Sequence, residues 1–391
     1  MSVTLTDTWP TDWSYVSEGG ANIVLVYQGP PSQLFDGTAL RLKKCSWKAE
    51  KPQHQEENSG GIQSVVFQKS CLERLVPPVH LPRLELVDVG KDGEKWLEAL
   101  AALCEPRRFS ERREKDGIDV TQDKALLATN LVGGRGIAVE IKPKWGFLPS
   151  PTYLSNSSQP IKTQTCRFCL HSNSRAQNGK TVSSGYCPLD LYSGDEVRMK
   201  TALDSLCDAW IESNGTINNF KVFVRGKMIL PEDRSSLIGL VNDKQDAKEA
   251  LTTALLPILK STPVLQILSR LQQTLDPLDI EGLASLCNLQ SPGPDPTVTE
   301  WTDFVTRYLE APSPPPPADA AHLRYHILAH LLSATFKDCS LIVRVPDGTA
   351  TLIDLDPKSI DRLRKWEKMD KELVAAYANV PVADRKVCAD A

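Results

Sequence analysis

No apolar run in this 391-residue sequence approaches the length of a membrane span; the longest candidates, Ala254 to Leu259 and Ile327 to Ala334, are broken by Pro or His. The opening residues, MSVTLTDTWPTDW, lack the basic and apolar regions of a secretory leader, so export is not expected. The ten cysteines then read as reduced thiols of the cytosol or nucleus. A formal net charge of −4 leaves no globally basic surface, which excludes the usual electrostatic footprint of a nucleic-acid binder. The P-loop pattern G-x4-G-K-[ST], the H-R-D and D-F-G motifs of protein kinases and any internal repeat are also missing. What remains is an ordinary globular composition, 41% hydrophobic and 24% charged, in a chain too long for one ordinary core. Two lobes are therefore expected.

Positive charge is local rather than global. Arg41 to Lys44, Arg107 to Lys115, Arg135 to Lys144 and Lys358 to Lys365 are basic islands, so an anionic ligand would have to bind where they meet. The densest stretch is Gly136 to Pro149, GIAVEIKPKWGFLP. Val139 and Ile141 alternate with Glu140, Lys142 and Lys144, so an extended chain sends the three charged side chains out by one face, each about 7 Å from the next. Two ammonium groups held that close repel, and a chain of phosphates between them relieves the repulsion. Pro143 fits a strand end or edge, while a plain solvated strand face would show the same alternation.

Upstream, strand Ile23 to Tyr27, turn Gly29 to Ser32 and strand Ala39 to Lys43 read as a hairpin preceded by Gly19-Gly20. Glycines let backbone N–H groups approach a phosphate, and Arg41 and Lys43 share one face of the returning strand, though a glycine pair also fits a plain turn. Residues 51–61 read as an exposed loop, Val65 to Leu75 and Trp96 to Leu103 as helices, and Lys124 to Thr129 as a buried strand. Asn130 to Gly136 is a glycine-rich connector of the kind that joins two lobes. Cys166, Cys169, His171 and Cys187 have a fair zinc spacing. From Asp195 an amphipathic helix puts Met199, Leu203, Leu206 and Trp210 in the core, and Asn218-Asn219-Phe220-Lys221 opens a strand. Consecutive helices follow from Asn242 to Leu289, with breaks at Pro263 and Asp276-Pro277. His322, His326 and His330 recur at i, i+4 and i+8, but one straight helix cannot close a metal site, so they read as a packing or hydrogen-bonding face.

The last third holds a hairpin, Asp338 to Val345 and Ala350 to Asp356 around Pro346-Asp347-Gly348. Centring the turn on Asp347-Gly348 sets Asp338 opposite Pro357 and gathers Asp338, Asp354 and Asp356 at one end. Adjacent carboxylates are costly unless a metal or a shifted proton relieves them. Phosphoryl transfer uses both devices. A helix is expected to begin at Pro357 with Asp356 as its cap, placing Lys358, Arg362 and Trp366 on one face.

The string Glu140-Ile141-Lys142-Pro143-Lys144, with Gly146-Phe147 and Pro149, resembles the signature of the inositol-pentakisphosphate 2-kinases, which phosphorylate the 2-hydroxyl of inositol pentakisphosphate with ATP. Glu18 to Asn22 is similar to that family's glycine loop. The Asp338 motif and Asp354-Leu355-Asp356 with Lys358 and Arg362 look like its catalytic and substrate segments. The resemblance implies an α+β, two-lobed inositol-phosphate kinase fold. Its smaller N-lobe, residues 1–132, carries an antiparallel sheet; its larger C-lobe, residues 133–391, carries a sheet, several helices and a helical insert near 240–335. For the nucleotide it implies Glu18, Gly19, Gly20, Ala21, Asn22, Arg41, Asn130, Leu131, Glu140 and Ile342. For the substrate it implies Arg112, with Arg113 as the other choice, and Lys142, Lys144, His171, Arg175, Asn218, Asn219, Lys221, Lys358 and Arg362. Trp366 stands where family members have a tyrosine, so a contact there lacks the hydroxyl. Asp338 is the expected base, Lys142 also serves the transferring group, and Asp354, then Asp356, is the expected Mg²⁺ ligand. ATP and Mg²⁺ are the implied cofactors. A structural Zn²⁺ is not favoured, because the family uses His171 and Arg175 on substrate and the Cys-x-x-Cys of its plant zinc site is missing. Inositol pentakisphosphate is the implied partner of a monomer in the nucleus, the cytoplasm or both, with no direct nucleic-acid or membrane partner. The competing readings are another small-molecule kinase of the same fold and a non-catalytic inositol-polyphosphate scaffold.

Overall fold

The computed structural model describes residues 3–47, 59–134, 136–180, 182, 185–233, 237, 246–287, 289, 291–311 and 315–389. Of the expected loop at 51–61, residues 51–58 lie outside this set, and a helix already begins at Ser59. The architecture is mixed α/β and rests on two antiparallel sheets.

The first sheet is built from β1 (Trp13–Glu18), β2 (Asn22–Tyr27), β3 (Thr38–Ser46), β4 (Leu84–Asp88), β5 (Asp116–Ile118) and β6 (Lys124–Thr129), in the order β1-β2-β3-β6-β4 with β5 paired to β3. Alternating Ile23 and Leu25 meet Leu40 and Leu42 in a core closed by Trp96, Leu97 and Leu100 of helix Gly93–Cys104. β1 was not expected. It makes a second hairpin whose turn contains the glycine pair, with Gly19 N–H donating to the Asn22 carbonyl at 2.9 Å, so Gly19-Gly20 precedes the expected β2–β3 hairpin and at the same time closes the β1–β2 one.

The second sheet runs β11-β10-β7-β8-β9: β7 (Ile137–Ile141), β8 (Phe220–Val224), β9 (Lys227–Ile229), β10 (Ser340–Arg344) and β11 (Thr349–Ile353). β7 is central and buried at every residue, as a strand covered on both faces must be. It ends at Ile141, and Lys144 takes a left-handed φ of 65°. The alternation expected from Glu140 to Lys144 is therefore broken after Pro143. Ser340 pairs with Ile353 and Arg344 with Thr349, a register two residues tighter than expected. Asp338 is not a strand residue but the last residue of helix Leu323–Asp338. Asp338, Asp354 and Asp356 nevertheless stay together at the end where β10 begins and β11 finishes. The following helix starts at Arg362, not Pro357, because Ile360 N–H is drawn to the Asp295 carboxylate at 2.6 Å and residues 357–359 remain irregular.

Helices Glu196–Glu212, Ala247–Ser261, Val264–Thr274, Val298–Glu310 and Leu323–Asp338 pack the second core; Met199, Leu203, Leu206 and Trp210 are all buried there. Phe67, Cys71, Leu72 and Leu75 precede β4 in the chain yet join this core, with Phe67 edge-on to Trp301. The three spaced histidines take separate partners: His322 the Asp319 carboxylate, His326 the Pro317 carbonyl and His330 the Asp276 carboxylate.

Candidate active site

A narrow cavity of about 140 Å³ lies between the sheets. Val24, Val26, Ala39 and Ala128 wall it from the first sheet, and Phe223, Ile342 and Leu352 from the second. Asn130, Leu131 and Val132 of the connector close one edge; Arg41, Glu140, Asp354 and Asp356 supply its charge. Apolar walls around a few charged groups suit a flat heterocycle carrying an anionic tail. Asn130 borders the cavity, but its side-chain oxygen accepts Val132 and Gly133 N–H and its carbonyl accepts from Arg344, which fixes the connector. Ala21 and Asn22 face an adjoining groove shared with Arg41 and Lys43.

Glu18 is turned away from this space. Its carboxylate is 2% exposed and is held by Arg108 at 2.9 Å and Lys44 at 3.2 Å. Arg108 also reaches Asp116 and Glu105, so a buried ion lattice underlies the glycine turn. Arg112 donates to the Glu18 and Gly19 carbonyls from above.

A second, larger cleft of about 950 Å³ is basic. It collects Arg112, Lys144, His171, Arg175, Asn218, Asn219, Lys358, Arg362 and Trp366, which are scattered through the sequence. It also contains cationic residues that sequence reasoning missed: Arg167, Lys180 and Lys337. Asn219 is buried, and its side-chain N–H₂ finds no hydrogen-bond partner among the described residues, an unmet donor facing a cleft suited to anions. Burial first, then Arg167, Arg175 and Lys144, holds the His171 imidazole below its usual value, so the neutral ring can accept or donate.

Paired charges mark the boundary between the two spaces. Lys142 meets Asp354 at 3.6 Å, and Lys221 meets Glu140 at 2.8 Å, so neither lysine lines the basic cleft directly. Ser340 donates to Glu140 and to Asp354, tying β10 to both. Asp338 lies on the basic side, 57% exposed, with Lys144 at 3.4 Å and Lys358 at 3.1 Å. A carboxylate at a helix C-terminus is electrostatically disfavoured, and these two lysines reverse that. Burial works to raise the Asp338 carboxyl, but Lys144 and Lys358 outweigh it and hold it below the usual range.

A profile of the inositol-pentakisphosphate 2-kinase family matches residues 15–372, spanning both cavities. The chain belongs to that family. An inositol-pentakisphosphate 2-kinase of Cryptococcus neoformans is 36% identical over 94% of this chain and 93% of its own. Those of Oryza sativa subsp. indica and Arabidopsis thaliana are 29% and 26% identical, each over 96% of this chain and 96% and 95% of their own.

Within this 2-kinase family member, the floor of the basic cleft is a buried ion cluster. Asp276 holds Lys337 at 2.5 Å and His330 at 2.8 Å, and the Lys337 ammonium lies over the Trp145 ring at 4.1 Å. A lysine inside the otherwise buried run Tyr325 to Lys337 is a signal the sequence did carry, since such a charge needs a partner. Lys162 similarly neutralises Asp279 and Asp370 beneath the helix Arg362–Ala378.

Proposed function

We propose that the narrow cavity takes ATP, the basic cleft takes inositol 1,3,4,5,6-pentakisphosphate, and the γ-phosphoryl group passes to the 2-hydroxyl to give inositol hexakisphosphate and ADP, within a two-lobed inositol-phosphate kinase fold divided near residue 132. The observation that carries this reading is Asp338: an ionised carboxylate between two lysines of a polyanion-sized basic cleft, beside a cavity lined by Asp354 and Asp356. The 2-hydroxyl oxygen forms its bond to phosphorus, its proton goes to Asp338, and the bond from phosphorus to the ADP oxygen breaks.

The paired lysines give the base its timing. While Lys144 and Lys358 bind Asp338, its basicity is low. Substrate phosphates compete for the same ammonium groups, and a carboxylate that loses them becomes more basic. Lys142 and Arg41, now on Asp354 and Asp356, are placed to turn likewise to the nucleotide phosphates. That exchange would free Asp354, with Asp356, as oxygen ligands of the kind Mg²⁺ takes; Asp354 is 47% exposed and held only by Lys142 and the Ser340 hydroxyl among the described residues, so it can accept a cation. Bound there, Mg²⁺ would neutralise nucleotide phosphate charge.

The test is single-turnover transfer from ATP to inositol pentakisphosphate, with calorimetry of each ligand. Asp338→Asn is expected to bind both ligands and transfer phosphate at least about 10²-fold more slowly, the usual scale of a lost general base. Asp354→Asn should also lose Mg²⁺-dependent nucleotide affinity. Wild-type-like transfer by Asp338→Asn would refute the assignment of the base, and tight binding without any transfer by the wild type would favour a scaffold.

A further inference from the structure

The turn Pro143 to Gly146 leaves β7 carrying Lys144, and it belongs to no sheet. The left-handed φ of 65° at Lys144 strains any residue with a Cβ and persists only where the surroundings over-determine it. With no strand alongside, the polar backbone of the turn must be satisfied by other means. Side chains do so. The Tyr186 hydroxyl donates to the Pro143 carbonyl at 2.9 Å, the Tyr192 hydroxyl to the Lys144 carbonyl at 3.1 Å and the Ser269 hydroxyl to the Gly146 carbonyl at 2.8 Å. Gln272 bonds the turn twice: its Nε2 donates to the Lys144 carbonyl at 3.0 Å, and its Oε1 accepts the Gly146 N–H at 2.7 Å. Ser269 and Gln272 stand three residues apart in the helix Val264–Thr274, so they share one face.

The Gln272 amide also reaches a second segment. Its Nε2 donates to the Phe336 carbonyl at 3.0 Å, two residues before Asp338, while the Ser333 hydroxyl donates to the Gln272 carbonyl at 2.7 Å. One side chain therefore joins the turn that carries Lys144 to the helix end that carries Asp338. We propose that Gln272 is a positioning residue of the transfer reaction, whose amide locks these two segments together and so fixes the approach of the Lys144 ammonium to the Asp338 carboxylate.

Three features support this role. Lys144 and Asp338 are 194 residues apart and lie on a turn and a helix end, so no shared ladder sets their spacing of 3.4 Å. Gln272 is 0% exposed, and a buried amide is costly unless its donors and acceptor are all used; an apolar side chain of the same length would fill the space without that cost. The seat of the turn is also tight. A Cβ added to Gly146 would lie 2.8 Å from the Tyr192 ring, so the backbone rests directly on that ring and cannot drift toward it. Gln272 lines neither the narrow cavity nor the basic cleft, and its influence must pass through Lys144. In the ligand-free protein the clamp holds Lys144 against Asp338. With substrate bound, it aims the same ammonium at a phosphate beside the acceptor hydroxyl, where small misplacements are expensive. The kinetic part of this role rests on reading the cleft as the inositol pentakisphosphate site; the clamp itself does not.

The test is a double-mutant cycle in the full chain. Gln272→Met keeps length and volume and is expected to slow single-turnover transfer about 10- to 100-fold, to raise the KM for inositol pentakisphosphate and to leave that for ATP unchanged. Thr274→Val, two residues along the same helix and bonded to Tyr308, should keep wild-type kinetics. In a Lys144→Ala background, Gln272→Met should cost no more than about twofold further. An equal loss with and without the Lys144 side chain, wild-type-like transfer by Gln272→Met, or a matching rise in the KM for ATP would each overturn the role. Should Gln272→Met fail to fold, Tyr192→Phe removes only the hydroxyl that bonds the Lys144 carbonyl and the Gln272 amide; it should give a smaller loss with the same dependence on Lys144, and additivity would be equally fatal. A ligand-free readout separates this proposal from the kinase reading. A carbodiimide should couple Asp338 to Lys144 and to Lys358 without a spacer in the wild type, as peptide mass spectrometry would show. In Gln272→Met, or in Tyr192→Phe to a lesser degree, the Lys144 product should fall while the Lys358 product persists. An undiminished Lys144 product overturns the clamp, whereas a wild type that couples as expected but transfers no phosphate sinks the kinase reading alone.

Discussion

Replacing Asp276 by Asn tests whether the floor of the basic cleft is held by charge. The side chain is 2% exposed and is shared by Lys337 and His330, themselves 3% and 7% exposed. Asn keeps the shape but leaves the Lys337 ammonium buried without its counter-ion, a defect that costs about 3–5 kcal/mol. The face of Trp145, 4.1 Å from that ammonium, recovers up to about 2 kcal/mol of any unpaired charge, so the lower end, about 3 kcal/mol, is expected. Against a total stability of about 5–15 kcal/mol this is a large loss, read directly by equilibrium urea unfolding. Adding Lys337→Met removes the stranded charge and should restore more than half of it. Acidity gives an independent sign. Burial alone would raise the Asp276 carboxyl, but Lys337 and then His330 outweigh it and hold it low. Its contribution is therefore complete above the unfolded carboxylate value of about 3.9 and is lost as pH falls through and below it. Wild type should lose stability in that window more steeply than Asp276→Asn. An Asn variant within about 0.5 kcal/mol of wild type, or a double variant no better than the single, would refute the reasoning.

Lys358→Ala and Arg362→Ala should each raise the KM for inositol pentakisphosphate about 10- to 100-fold, the equivalent of one charge-assisted contact, with the KM for ATP unchanged; steady-state kinetics varying each substrate in turn would show it. Glu18→Gln leaves Arg108 and Lys44 short of a buried carboxylate, so about 3 kcal/mol of stability and the order of the glycine turn should be lost together, measured as a lower urea midpoint and weaker nucleotide binding; loss of nucleotide affinity at unchanged stability would instead mean that Glu18 touches the nucleotide.

Local pattern was legible where one short-range rule decided the outcome. The apolar periodicity of Met199 to Trp210 required a buried helix face, and the short apolar run Ile23 to Tyr27 ahead of a Gly-Pro-Pro turn required a strand. It failed where a distant contact competed. Pro357 and Asp356 make a sound helix start by local rules, yet Asp295 captures the Ile360 N–H and delays the helix to Arg362. Lys358 and Arg362 still face the same cleft, now from a loop and a helix end. β1 escaped notice because its side chains are mostly half-buried and alternate weakly. Cys388 lies 222 residues from Cys166, beyond any spacing rule, and only the path of the C-terminal segment brings it home.

How a chain of net charge −4 builds a cleft for a polyanion follows from the same contacts. An array of unpaired cations would repel itself and weaken the fold in the absence of ligand. Here Lys144 and Lys358 face Asp338, Lys142 faces Asp354, and Arg41 faces Asp356, so the cations at the boundary of the two spaces are largely compensated, while Arg112, Arg175 and Arg362 keep the cleft basic. These pairs are long, at 3.1–3.6 Å, and the carboxylates are about half exposed, so they are weak and exchangeable. The buried pairs beneath, Asp276 with Lys337 and Asp279 with Lys162, are less than about 5% exposed and have no such freedom. Charge in this protein is thus layered by burial: fixed pairs shape the floor, and loose pairs above it can trade a carboxylate for a phosphate.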